Sequence, residues 1–425
     1  MDVHAFCGLL RSLPALADLR CCQDHYDNFF DLLGSGLPAL CDALLLQCRS
    51  LTRHEIGVHA ASAGIGEVGP CMSASLGQLL HLRSLHLELG CMDEADEGSR
   101  PMLSALAALQ DLTQLCLGGG YAYSSFTLPA AITCLHKLED LSLSCFRSLS
   151  MEGGWAHLPA LRCLGLYYCH LCTGNISGSE ELHRGLLALP ALCHLEITAC
   201  SFIGLPAGLS GLTALYVQGT QVSVGEAFSA VTPATLSLGG LRRYTGITEL
   251  RLVGLGLRAC PHAVTDMVGL QELDLTGSQF AELPADVTRL TALRSLGLGW
   301  RYDDAGGRVD IAALGGLSCF PDLQTLAFRD CVVRVSGAFA DAPSLQTVRF
   351  TRALPQARAS MKAVLQLHRR LVRAQSPGCS YAWVNAGIEH RREDLLRLMR
   401  RASRHKRKTV AAFCAALEEA KQARM

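Results

Sequence analysis

One pattern, L-x-x-L-x-L, recurs along this chain and restricts the folds open to it more than any other feature. In LPADVTRLTALRSLGLGW, residues 283 to 300, leucine or valine stands at 283, 287, 290, 293, 296 and 298. The gaps of 4, 3, 3, 3 and 2 join a helical or 3₁₀ spacing to the alternation of a strand. The same ending occurs at Leu82/Leu85/Leu87, Leu112/Leu115/Leu117, Leu138/Leu141/Leu143, Leu161/Leu164/Leu166, Leu192/Leu195/Ile197 and Leu212/Leu215/Val217. It continues at Ile247/Leu250/Leu252, Leu270/Leu273/Leu275, Leu293/Leu296/Leu298, Leu323/Leu326/Phe328 and Leu345/Val348/Phe350. Successive copies lie 30, 26, 23, 31, 20, 35, 23, 23, 30 and 22 residues apart. Weaker copies stand at Leu16/Leu19/Cys21 and Ile56/Val58, where the spacing leaves the register open.

The final L-x-L reads as a short strand with alternate side chains turned inward, and the leucines before it as one face of a helical or 3₁₀ arm. One such unit cannot cover its own apolar face. Copies therefore stack, strands pair in parallel and the inward leucines join into a continuous core.

These residues resemble the leucine-rich-repeat superfamily, whose pattern is L-x-x-L-x-L-x-x-N/C-x-L. The resemblance covers roughly residues 50 to 352. At its ninth position stand Cys169, Cys200 and Cys331, each followed two residues later by Leu171, Phe202 or Val333, while Thr220, Ser278, Gly90 and Gly120 occupy that place elsewhere. The repeats at 128–143 and 205–217 look like the plant intracellular type, and longer ones such as 161–192 look closer to the ribonuclease-inhibitor type. The resemblance implies an α/β solenoid with a parallel-strand concave face and helical or 3₁₀ convex arms, and the apolar spacing after Arg352 adds a helical C-terminal extension. The expected organisation is a weak repeat or cap over 1–52, the solenoid over 53–352, and a basic helical cap and tail over 353–425.

At 425 residues, with 49% hydrophobic and 18% charged side chains, the chain has ample apolar surface to bury. Its formal net charge of zero hides a division. Residues 1–351 hold 21 Lys+Arg against 33 Asp+Glu, net −12, and 352–425 hold 17 against 5, net +12. The opening MDVHAFCGLLRSLPALADLR lacks the basic flank, apolar core and cleavage site of a secretory signal. The uncharged stretch between Glu196 and Glu226 carries Gly204, Pro206, Gly208, Gly211, Gln218 and Gly219, a poor lipid-facing surface, so no transmembrane segment is expected. Twenty cysteines without a signal peptide point to reduced thiols and a cytoplasmic setting, with nuclear or cytoskeletal association as alternatives.

Two segments imitate catalytic or metal sites. GIGEVG, at Gly64, Gly66 and Gly69, has dinucleotide-loop spacing with Glu88 downstream. Five residues separate it from Val58, however, and the leucines that follow fall in the repeat register, so no cofactor is assigned. Cys163, Cys169, His170 and Cys172 lack a second ligand pair at finger spacing and read as core and ladder thiols, so no metal is assigned either. There is no G-x-S-x-G elbow, H-E-x-x-H pair or P-loop, and the expectation is a non-enzyme with no small-molecule substrate.

The variable strand positions instead gather a candidate partner-binding patch: Tyr167, Tyr168, His194, Glu196, Tyr216, Glu249, Arg251, Glu272 and Asp274. Tyrosines offer large contact area at low entropy cost, and carboxylates add register with basic partners. The plain alternative is a solvated strand face in which Arg251 and Asp274 satisfy each other across neighbouring rungs. The resemblance implies a protein-binding class, and with this patch the expectation is an intracellular scaffold or adaptor that binds a protein partner on the concave face.

A second reading places function in the tail. Met361, Val364, Leu365, His368, Leu371 and Val372 mark one helix face that would cap the last rung. Basic residues over 391–408, including RRASRHKRK, could engage nucleic acid or an anionic membrane surface, with the solenoid as carrier, or could simply be solvated. Arg400-Arg401-Ala402-Ser403 resembles a basophilic kinase site, and phosphate on Ser403 would reduce the positive charge there.

Overall fold

The structure is a computed structural model of the whole chain. It describes residues 18–21, 53–58, 77, 79–89, 104–118, 124–128, 130–151, 154–169, 183–200, 208–219, 238–278, 283–299, 308–310, 317, 319–329, 331–334, 344–351 and 354–355. The glycine segment 64–69, the pair His170 and Cys172, the basic stretch 391–408 and Ser403 lie outside the described residues.

The chain divides into two compact units, Met1–Thr213 with Gln221–Gly240, and Ala214–Thr220 with Leu241–Met425. In unit 1 the strands β1 (Asp18–Cys21), β2 (Arg53–Val58), β3 (Ser84–Leu89), β4 (Gln114–Gly118), β6 (Asp140–Ser144), β8 (Cys163–Tyr167) and β9 (His194–Thr198) lie side by side in that order. Beside them β5 (Ser124–Leu128) pairs with β7 (Phe146–Met151). Unit 2 places β10 (Ala214–Gln218), β11 (Glu249–Val253), β12 (Glu272–Leu275), β13 (Ser295–Gly299), β15 (Thr325–Arg329) and β17 (Thr347–Thr351) in order. A second small sheet orders β14 (Arg308–Asp310), β16 (Val332–Arg334) and β18 (Leu354–Pro355).

Neighbouring strands within each unit pair in parallel, and their register is the register of the repeat. Leu85, Leu115, Leu141, Leu164 and Leu195 align across β3, β4, β6, β8 and β9. Leu250, Leu273, Leu296, Leu326 and Val348 do the same across unit 2. All ten are essentially buried. The two weak copies also form strands. Cys21 aligns with Ile56 and Ile56 with Leu87, so Ile56 holds the final leucine place and His54 the place two before it. The Ile56/Val58 pairing suggested by spacing is therefore shifted by two residues.

The spacing of three in the arms has a direct structural cause. Short 3₁₀ segments cover Leu106–Ala108, Ala130–Cys134, Trp155–His157, Leu238–Arg243 and Ala285–Arg289, with α-helical turns at 183–187 and His262–Thr265. Backbone N–H groups reach back three residues, Leu290 to Val287 at 3.0 Å and Leu293 to Leu290 at 3.2 Å. Side chains three apart eclipse in such a helix, so each arm shows one leucine edge to the core. At the start of each strand one carbonyl accepts two donors from the next rung: Arg162 O takes Cys193 N–H and His194 N–H, both at 2.9 Å, and Gln271 O takes Arg294 and Ser295 at 2.7 and 3.0 Å.

After the strand the chain must turn toward its arm, and it does so two residues past the final leucine. Cys145, Tyr168 and Ala199 in unit 1 and Gly254 and Gly277 in unit 2 all take positive φ there, between 54° and 78°. A non-glycine residue in this region pays roughly 1–2 kcal/mol. The next residue is the ladder position. Cys169 Sγ lies 3.3 Å from Tyr167 O and 3.6 Å from Leu143 O on the preceding rung. Cys200 Sγ lies 3.3 Å from Leu166 O and from Thr198 O, and accepts the Cys169 N–H at 3.3 Å. The thiols thus tie each turn to its neighbour. Burial, then the neighbouring Cys169 sulfur, pushes the Cys200 thiol up.

Gly277 combines a φ of 78° with crowding, since a Cβ there would stand 2.6 Å from Gly254 Cα. Gly269 has neither constraint. Gly277→Ala should therefore destabilise unit 2 by about 2 kcal/mol or more, while Gly269→Ala should be neutral or stabilising by up to about 1 kcal/mol. Urea unfolding of the two variants checks this contrast.

Candidate functional site

The outward face of each sheet is built by the residues between the inward leucines. In unit 1, β8 presents Cys163, Gly165 and Tyr167, and β9 presents His194, Glu196 and Thr198, paired in that order. The Tyr167 hydroxyl donates to Glu196 Oε2 at 3.0 Å, and Thr198 Oγ1 donates to Glu196 Oε1 at 3.3 Å. The Tyr167 ring lies over Gly165, where a Cβ would come within 2.7 Å of ring atom Cε2. Glycine at 165 is what lets the ring lie down toward Glu196. Burial, then the Glu196 charge, raises the phenol well above the usual tyrosine range and holds it as a neutral donor.

Asp140, Cys163 and His194 form a row across β6, β8 and β9. Burial raises the Asp140 carboxyl against the opposing influence of His194. Burial, then the Asp140 charge, also raises the Cys163 thiol. A thiol held protonated is a weak nucleophile, so this row is not arranged for thiolate chemistry at neutral pH. Tyr168, 45% exposed, stands apart on the left-handed turn, where its N–H donates to Thr198 O at 2.8 Å.

Unit 2 repeats the tyrosine–carboxylate theme. Tyr216 is aligned with Arg251, and Arg251 with Asp274, while Glu249 is aligned with Glu272. The Tyr216 hydroxyl donates to Glu249 Oε2. The Arg251 guanidinium sits 4.2 Å from the Tyr216 ring centroid and 3.3 Å from Glu272 Oε2. Such a cation–π contact at a half-exposed site contributes about 0.5–1 kcal/mol, and the exposed ion pair a similar or smaller amount. Burial and the Glu249 hydrogen bond push the Tyr216 phenol up to about 12.

The Arg251–Asp274 pairing of the plain alternative is not what forms. Arg251 turns to Glu272 and Tyr216. Asp274 Oδ1 instead accepts the Thr276 N–H at 2.9 Å and lies over Gly297, where a Cβ would meet it at 2.6 Å. An aspartate is short and finds its own backbone two residues on, whereas arginine can reach past it.

The structure brings Tyr167 and Glu196 together in unit 1, with His194 in the adjoining row, and Tyr216, Glu249, Arg251 and Glu272 together in unit 2. Asp140, Gly165, Thr198 and Gly297 were missed as contributors. The signal for the two glycines was a glycine at an outward strand place beside a large or acidic neighbour. Cys169 lies in the core as a ladder thiol. No helix among the described residues is long and apolar enough to cross a membrane.

No family model and no curated protein matches the chain. Among solved structures it is similar to a leucine-rich-repeat protein of Leptospira interrogans, at 18% identity over 69% of this chain and 78% of that one, with a TM-score of 0.41. It is also similar to an internalin from Listeria monocytogenes, at 14% identity over 85% of this chain and 91% of that one, with a TM-score of 0.41. The assignment of fold is carried by the chain's own rungs. With inward leucines in register, parallel strands, 3₁₀ arms and thiols at the ninth position, this chain is a leucine-rich-repeat solenoid.

Proposed function

We propose that this chain is a non-catalytic intracellular scaffold that binds a protein partner on the outward strand faces of its solenoid. The observation that carries the reading is the pair of half-exposed tyrosines, Tyr167 and Tyr216, each fixed by donation to a carboxylate of the next strand. A tyrosine held in one orientation loses little entropy when a partner covers it, which is why such residues anchor interfaces. Glu196 in unit 1, and Glu249, Glu272 and Asp274 in unit 2, favour partner segments with basic side chains, and the stacked strands of each unit hold that unit's own residues in place. The many cysteines, several of them serving as core thiols, fit a reducing cytoplasmic setting.

The charge split favours one second reading. Residues 352–425 carry a net charge of +12, so the segment 391–408 could hold the binding function for nucleic acid or an anionic membrane, with the solenoid as carrier. Affinity capture with the full chain, with residues 1–352, and with the full chain bearing Tyr216→Ala and Asp274→Lys separates the two. Strand-face binding predicts a protein partner kept by residues 1–352 and weakened at least about tenfold by the double substitution. Capture that follows only the tail and disappears at moderate salt would overturn it.

The tyrosine–carboxylate pairs also predict a pH dependence. Because the folded Tyr216 phenol is raised to about 12, above its unfolded value, its contribution to stability is intact below the unfolded pKa and declines as pH rises through about 12. Tyr167 acts in the same direction. Absorbance titration at the phenolate band should show a late-ionising class, and Glu249→Gln together with Glu196→Gln should move part of that class back toward ordinary tyrosine.

A further inference from the structure

Across the face of unit 2, one row of aligned residues reads Asp274, Gly297, Ala327, Arg349 over β12, β13, β15 and β17. The charge changes sign along it. On the acidic side stand Glu249, Glu272 and Asp274 with only Arg251 against them, and on the other side stand the exposed Arg329 and Arg349, for which no ion pair is found among the described residues. Between them the outward residues of β13 and β15 are Ser295, Gly297, Gly299, Thr325 and Ala327, none larger than threonine, until Arg329 at the strand end. Gly297 and Gly299 have local reasons to be glycine, since a Cβ would meet Asp274 Oδ1 at 2.6 Å and Arg329 O at 2.3 Å. Their consequence is a low centre between two charged flanks about 14 Å apart, three strand spacings.

A uniformly basic partner would meet Arg329 and Arg349, and a uniformly acidic one Glu249, Glu272 and Asp274. The occupant must itself carry opposite charges at the same separation, and a second copy of this face does so when turned about a two-fold axis. We propose that two copies of this chain pair face to face through unit 2, about an axis running along the strands midway between β13 and β15. That operation places Asp274 of each copy opposite Arg349 of the other, and Gly297 opposite Ala327 at the centre. It also sets Arg329 over the space at Gly299 and Glu272 over the hydroxyl of Thr347, so like charges do not meet among the described residues of β12, β13, β15 and β17, with Glu249 and Arg251 outside this overlap. A contact in which residue i meets j and j meets i is what a closed two-fold dimer requires. The proposal rests on the strand face being a binding surface and names its partner.

The strands that overlap about this axis, β12, β13, β15 and β17, span about 19 Å across and about 17 Å along the strands, or roughly 320 Å² per copy. A total of about 650 Å² is small for a stable complex, so the dimer should be weak, concentration-dependent and sensitive to salt.

Sedimentation velocity of the full chain over a concentration series, at low and high salt, tests this. The expected result is a monomer–dimer equilibrium shifted toward monomer by salt. Asp274→Lys and Arg349→Glu should each weaken dimerisation at least about tenfold, and an equimolar mixture of the two should restore it, because both cross-contacts become attractive again. The restored mixture also shows that both variants fold. A monomeric wild-type chain at all concentrations, single variants that dimerise unchanged, or a mixture that stays monomeric would each overturn the pairing. A monomer that still captures a protein through Tyr216 would sink the dimer alone and leave the strand-face reading standing, whereas loss of both would end both.

Discussion

The alignment of inward leucines from one rung to the next is the interaction on which the rest of this molecule depends. Each rung has an apolar edge too large to leave in water and too small to fold alone, and only a neighbour with leucines at the same heights can cover it. A one-residue slip would turn Leu273 and Leu275 outward and Asp274 inward, so register is specified strongly wherever the face is buried. The spacing between copies can then vary from 20 to 35 residues, because the extra length falls between the strands.

Stacking brings the turns after the strands together, and the two units meet that crowding differently. Unit 1 accepts Cys145, Tyr168 and Ala199 in the left-handed region and ties its turns with the Cys169 and Cys200 thiols. Unit 2 uses Gly254 and Gly277, whose backbones approach more closely than a Cβ would permit. In both, the backbone N–H at the turn reaches a carbonyl of the next rung, as from Tyr168 to Thr198 and from Gly254 to Thr276. The buried polar backbone is thereby satisfied without a longer strand.

With the core and turns fixed, the outward faces are free to vary, and their chemistry comes from short choices between neighbours. A glycine at 165 lets Tyr167 lie against Glu196, and a glycine at 297 receives the Asp274 carboxylate. Arg251 spans Tyr216 on one side and Glu272 on the other. The result in each unit is a set of oriented donors and acceptors on its outward strand face.

Much of this was legible from the residues. The rungs, the inward leucines and the outward placement of Tyr167, Tyr216, Glu249, Arg251, Glu272 and Asp274 follow from side-chain periodicity, which is local and needs no partner strand to be read. His54 in a leucine place hid the register of β2, and only its pairing with β3 resolved it. Periodicity could not say whether Arg251 would take Asp274 or Glu272, because both lie within reach of a long side chain and the choice depends on where the Tyr216 ring and the Thr276 N–H stand. The sequence alone determined that leucines face in and variable residues face out, since alternation along a strand is a property of the backbone itself. Tertiary structure alone decided which outward residues became neighbours, since residues as far apart as Asp274 and Arg349 share a row only after the intervening rungs have stacked.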